Sequence, residues 1–298
     1  MAARKRKSYN KRKGNGQKLT IAGVAVAAAL LIGQQFGVIS DKQVDQFLNV
    51  PQKAQQSSHK MGSLQTNQAE GAAKHPSEAL AKSVITADVQ AQLNATSIEF
   101  NGTGAFVINN NQTDLNADVN VAPYVQLAKT DRLGRPGVAN AYLNNTSREY
   151  RKREHTGNDT KINPVGWRQM RMNGSQVLYN RGHSIAYALA GGVKGFDASE
   201  ANRQNITTQT TWANQASNGD ARNTGQNYYE SLVRKALDQH KTVRYRVTPV
   251  YDNRNLVPSG SKIEAKSTDG SLQFNVFVPN VQPGVQIDYN DGSAQVAS

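Results

Sequence analysis

The stretch Leu178-Tyr-Asn-Arg-Gly-His-Ser-Ile-Ala-Tyr187 decides how this chain is read, together with Asn205-Ile-Thr-Thr-Gln209 and the Asn214-Gln215 pair that follow it. His183 ends a predicted strand beside Arg181 and Gly182, and Asn214 opens a polar segment leading into a predicted helix. One supplies an imidazole that titrates near neutrality, the other a neutral amide oxygen. A proton acceptor paired with a hard oxygen donor suits phosphodiester hydrolysis assisted by a hard metal ion. Each residue also has a plain structural reading, His183 bonded to a backbone carbonyl and Asn214 capping the next helix. The second motif downstream favours the chemical reading of both.

Composition narrows the chemistry further. The chain has 298 residues and no cysteine, which excludes disulfides, thiolate zinc sites and a cysteine nucleophile and leaves any metal to oxygen and imidazole ligands. A net charge of +13 and a pI near 9.8 favour a polyanionic partner. Eight positive charges lie within residues 1–18 (Arg4, Lys5, Arg6, Lys7, Lys11, Arg12, Lys13, Lys18), so much of the imbalance is a topology signal. Residues 19–39 are apolar apart from Thr20 and the Gln34-Gln35 pair. About twenty such residues cross a bilayer, and the basic cluster before them belongs on the cytoplasmic side. The segment reads as an uncleaved single-pass anchor that leaves the C-terminal domain extracellular; a cleaved signal with a secreted product is the alternative. Residues 40–95, rich in Gln, Ser, Lys and Ala, read as a flexible spacer, with His59 and His75 as bystanders.

From residue 96 to 298 the texture is that of a packed domain, with short apolar runs cut by turn residues. Ala105 to Ile108 predicts a strand followed by an Asn109-Asn-Asn-Gln turn, and Val138 to Tyr142 a helix. Val243, Tyr245 and Val247 alternate as a strand face, with Pro249 marking an edge or an end. Leu272, Phe274, Val276 and Val278 alternate after the Asp269-Gly270 turn, predicting a hairpin with Lys262 to Lys266. Tyr229, Leu232, Val233, Ala236 and Leu237 keep helical spacing, which predicts an amphipathic helix from about Gly225 to Gln239 packed on an antiparallel sheet. Residues 186–195, dominated by Ala and Gly, predict a loop. The fold class is α+β.

Asn180-Arg181-Gly182-His183, followed by Asn205-Ile206-Thr207-Thr208-Gln209 and Asn214-Gln215, resembles the signature of the DNA/RNA non-specific endonucleases of the ββα-metal class. That signature opens on Asp where this chain has Asn180. Within that family, Gly225-Gln-Asn-Tyr-Tyr-Glu230 and Val278-Pro-Asn-Val-Gln282 are similar to the membrane-anchored bacterial DNA-entry nucleases. The resemblance implies a ββα-metal core, with His183 as general base, Asn214 as the direct protein ligand of Mg²⁺ (Mn²⁺ as substitute) and Glu230 bonded to the waters of the ion. Arg153, in the basic run Tyr150-Arg-Lys-Arg-Glu-His-Thr-Gly-Asn158, would clamp the substrate phosphate, and Arg181 would serve the same phosphate. Asn205 and Gln209 would orient waters or side chains. Glu230 and Arg234 are also spaced for a surface ion pair, and residues 151–153 for a solvated charge run. Asn180 in place of Asp keeps shape and one acceptor oxygen but loses charge, so it tests whether that position orients its neighbours or supplies a negative field.

The expected function is a surface-anchored, Mg²⁺-dependent endonuclease that cuts DNA and RNA to 5′-phosphate ends. Sequence preference is not expected, since no helix-turn-helix or zinc-finger spacing is present and phosphate contacts carry no base information. The alternative is a non-catalytic nucleic-acid receptor on the same fold.

Overall fold

A computed structural model of the chain describes residues 75–172, 176–216 and 221–297. The tail, apolar segment and first part of the spacer expected in residues 1–74 lie outside the described residues. Among the described residues no helix is long and apolar enough to cross a membrane.

The spacer expected to reach residue 95 ends earlier. Glu78–Lys82 (α1) and Ala87–Leu93 (α2) are helices, N-capped by the Ser77 and Thr86 hydroxyls, which accept from the Leu80 and Val89 amides. Ala81, Val84, Val89 and Leu93 are buried in the main core. Burying a Val or Leu side chain stabilises by about 1.5–3 kcal/mol, so this segment belongs to the domain despite its polar average. The caps and the four-residue step from Val89 to Leu93 were the local signals that the composition masked.

The core is organised on one antiparallel sheet. Its strands are Ile98–Phe100 (β1), Phe106–Ile108 (β2), Tyr124–Leu127 (β3), Ala139–Leu143 (β4), Val243–Val250 (β7), Gly260–Ser267 (β8) and Gln273–Pro279 (β9), in the order β1-β2-β9-β8-β7-β4-β3. The expected hairpin is β8–β9, with Lys262 opposite Phe277 and Lys266 opposite Gln273. β4 pairs with β7 only as far as Val247, so Pro249 lies past the end of that ladder. The helix expected at Val138 to Tyr142 is instead strand β4, where Ala139, Ala141 and Leu143 are wholly buried. Its alanines favour helix in isolation, but their alternation places small side chains on the crowded inner face beside β7.

A separate ribbon carries the chemistry. Tyr179–His183 (β5) pairs antiparallel with Ile206–Thr210 (β6), with Asn180 opposite Gln209 and His183 opposite Ile206. Thr211–Gln215 (α4) follows directly, and Gln226–Asp238 (α5) then packs on β7, β8 and α4. Tyr229, Val233, Ala236 and Leu237 form the buried stripe of α5, as expected. The ribbon is stapled to the sheet by Asn280, whose Oδ1 accepts from Thr210 N at 2.7 Å and whose Nδ2 donates to Thr208 O at 3.1 Å and Pro258 O at 2.9 Å. Gln282 Oε1 accepts from Trp212 N at 2.9 Å, which explains the Asn and Gln of the C-terminal Val278–Gln282 motif. The two remaining strands, Val285–Ile287 (β10) and Ala294–Val296 (β11), form a small hairpin. Residues 186–195 hold one helical turn, Tyr187–Ala190 (α3), because Leu189 and Ala190 reach the core.

Candidate active site

Gly182 is required for space. A Cβ there would fall 2.0 Å from Gln209 Oε1 and 2.6 Å from Gln209 Cβ, so the Gln209 side chain lies directly across the strand before His183. Gln209 Nε2 donates to Gln226 Oε1 at 3.0 Å. Gln226 Nε2 in turn donates to the His183 carbonyl at 2.5 Å and to Glu230 Oε1 at 2.9 Å. Asn205, fully buried, accepts from Ile185 N at 2.9 Å and donates to Ile185 O at 3.0 Å, fixing the chain as it leaves His183. Asn205 and Gln209 therefore hold the backbone and side chains of the site in place.

A cleft of about 530 Å³ opens between α3, α4, α5 and the end of β5, lined by Arg153, His183, Tyr187, Asn214, Asn227 and Glu230 among others. Arg153 Nη2 lies 3.0 Å from His183 Nε2, and since a guanidinium only donates, that nitrogen presents its lone pair. Burial, reinforced by the Arg153 charge, pushes the imidazole down to about 3, so it is neutral throughout the physiological range. Arg153 also donates to Ala198 O at 2.5 Å and lies 4.5 Å over the Tyr187 ring. Glu230 is buried rather than a surface partner of Arg234. Burial raises its carboxyl to about 7, against the opposing Gln226 hydrogen bond and the Arg234 charge at 3.6 Å.

Asn214 sits inside α4 rather than opening a segment, and it caps neither neighbour, since Thr210 caps α4 and Gly225 precedes α5. Its amide makes no hydrogen bond among the described residues and faces the cleft. No cluster of three or more His, Cys, Asp or Glu side chains that could hold a metal ion occurs among the described residues. One amide oxygen and one carboxylate in an open cleft nevertheless fit a hard divalent cation that retains most of its waters.

Two expected site residues turn away. Arg181 donates through Nε to Ile162 O and through Nη2 to Asn163 Oδ1 at 2.8 Å, and it stacks 4.7 Å over Trp167, so it braces a neighbouring loop. Asn180 alternates with His183 along β5, and its Nδ2 donates to Thr211 Oγ1 at 3.1 Å. The Thr211 hydroxyl proton is already given to Val177 O at 2.6 Å, so its oxygen offers a lone pair that suits an amide donor. Residues missed from the sequence include Gln226 and Tyr187. The four-residue step from Gln226 to Glu230 was the available signal for the first; Tyr187 lay in a stretch expected to be a loop.

The sequence profile of the DNA/RNA non-specific endonuclease family matches residues 113–269, which include every cleft residue. The chain belongs to the DNA/RNA non-specific endonuclease family. It is similar to the solved NucA nuclease from Streptococcus agalactiae at 46% identity. The magnesium-bound form matches with a TM-score of 0.65 over 71% of this chain and 98% of that one. The form with no metal bound matches with a TM-score of 0.64 over 72% and 99%. The protein is thus a nucleic-acid-hydrolysing endonuclease with a mixed α/β nuclease fold.

The family's Asp position can be tested directly. Asn180→Asp is expected to change the rate of plasmid cleavage by less than about tenfold, roughly 1.4 kcal/mol in barrier. The same change should lower stability in urea by about 1 kcal/mol through the lost donor to Thr211. A purified protein that cuts only after Asn180→Asp would show that negative charge at this position is required.

Proposed function

We propose that this endonuclease is Mg²⁺-dependent and without sequence preference, hydrolysing DNA and RNA to 5′-phosphate ends. The reading is carried by one juxtaposition: a neutral His183 with an unprotonated Nε2 shares one cleft with the Asn214 amide and the buried Glu230 carboxyl. Arg153, which donates to His183 Nε2, has a stronger acceptor in a substrate phosphate, and a move to it would leave the imidazole lone pair open to water. His183 Nε2 then takes the proton of the attacking water, a task for which a neutral imidazole is suited. The Gln226 bond to the His183 carbonyl and the Asn205 clamp on Ile185 keep the ring aimed during that transfer. Asn214 and Glu230 would hold Mg²⁺, which when bound supplies Lewis-acid stabilisation of the charge gathering on the phosphate. Cation binding would also favour the ionised form of Glu230 that burial opposes. Contacts made to phosphates read no bases, which supports action on any sequence.

His183→Ala is expected to lower turnover by about 10²- to 10⁴-fold with far less effect on DNA affinity. Asn214→Ala should raise the Mg²⁺ concentration needed for half-maximal cleavage, and EDTA should stop the native enzyme. Near-native turnover of His183→Ala would remove the assignment, and full activity in EDTA would remove the metal.

Location belongs to the same proposal. The apolar run at 19–39 behind the basic cluster at 1–18 supports a membrane anchor with the nuclease domain outside the cell. Protease added to intact cells should then digest the domain while a cytoplasmic marker survives. Survival of both would reverse the orientation, and release into the medium with a new N-terminus would make the segment a cleaved signal.

A further inference from the structure

Tyr150 is 72% exposed, yet it is tightly held. Its hydroxyl donates to Asp238 Oδ1 at 2.6 Å, and the Arg148 guanidinium lies 4.6 Å over one face of its ring. Arg148 is itself fixed by an ion pair with Asp238 at 3.0 Å and by donating to the carbonyl of Ala188, which lines the cleft. On the backbone side, Glu149 Oε1 accepts from the amides of Tyr150 at 3.0 Å and Arg151 at 2.9 Å. The ring contributes nothing to the core, and at this exposure the face away from Arg148 is open to solvent. From it the chain runs through Arg151, whose guanidinium is ion-paired to Glu149 at 2.7 Å, to the cations Lys152 and Arg153, the last reaching His183. Tyr187 pins this run to the cleft by donating to Arg151 O at 3.1 Å. A fixed, half-covered aromatic ring at the head of a cationic track has the form of a surface on which one planar base stacks while its phosphates follow the charges.

We propose that Tyr150 is a stacking platform for an unpaired base of the nucleic-acid strand whose phosphate lies at Arg153. The proposal rests on the reading of the cleft as the phosphodiester site. In a duplex every internal base is already stacked on both sides, so the ring engages a strand that is single or locally opened. Tyr150 is thus a binding residue that favours single-stranded over duplex substrate.

Oligonucleotides carrying 5-iododeoxyuridine at successive positions, irradiated with the full-length protein in EDTA, are expected to label Tyr150 when single-stranded. Annealing the complement should remove the label. Labels near Tyr187 but never on Tyr150 would overturn the platform and leave the cleft as the nucleic-acid site; labels remote from both would overturn the two readings together. Steady-state kinetics provide the second arm. Loss of one stacked base weakens binding by roughly fivefold to a hundredfold, so Tyr150→Ala should raise KM for single strands relative to duplex by about fivefold or more. Tyr150→Phe loses the Asp238 bond but keeps the ring, and its KM ratio should stay within about twofold of native. An unchanged ratio in Tyr150→Ala overturns the proposal, as does Tyr150→Phe matching Tyr150→Ala, which would assign the effect to the hydroxyl anchor.

Discussion

The site depends on the side-chain amide of Gln226. Its two protons go to the His183 carbonyl and Glu230 Oε1, and its oxygen accepts from Gln209, so both donors and the acceptor oxygen are engaged. One buried group thereby ties both strands of the β5–β6 ribbon to the first two turns of α5. Inside a protein such a buried chain of amides is rigid where its donors are paired, and removing a partner leaves a group whose desolvation costs about 1–3 kcal/mol. Gly182 belongs to the same constraint, because only the absence of a Cβ lets Gln209 cross the strand to reach Gln226.

That frame sets the electrostatics. Glu230 is buried and His183 half-buried, and loss of solvent disfavours the charged form of each, which pushes the imidazole down and the carboxyl up. The imidazole is thereby neutral at working pH with its lone pair available, while the same depression makes it a weaker proton acceptor. For the carboxyl, burial creates a demand for positive charge that Arg234, at 3.6 Å, meets only in part. That carboxyl shares the cleft with the Asn214 amide, which has no hydrogen-bond partner among the described residues, and the pair has the donor chemistry of a hard-cation site.

Much of this was legible in the sequence, for reasons that differ by residue. His183, Arg153, Asn214 and Glu230 were found by their motifs, and the structure brings all four to one cleft. Arg181 and Asn180 share the first motif but not the site, because a strand alternates its side chains and long cations seek the nearest carbonyl or aromatic face. Gln226 was passed over since a glutamine at a helix start carries no charge to draw notice; its importance comes from burial, which only the fold supplies. The alternating strands and the α5 helix followed from periodicity. β4 did not, because its alanines carry weak strand preference and are chosen by the space beside β7. Helices α1 and α2 were hidden by a polar average over a segment whose Leu, Val and Ile residues all pack on the core.

The measurement that bears most directly on this account is the turnover of Gln226→Met, which preserves length and volume but removes all three hydrogen bonds. Cooperative unfolding should be retained and DNA cleavage should fall by at least about tenfold, about 1.4 kcal/mol or more in barrier, although Gln226 does not line the cleft. Cleavage by Gln226→Met at the native rate would contradict the account, and would place the alignment of His183 and Glu230 in other contacts.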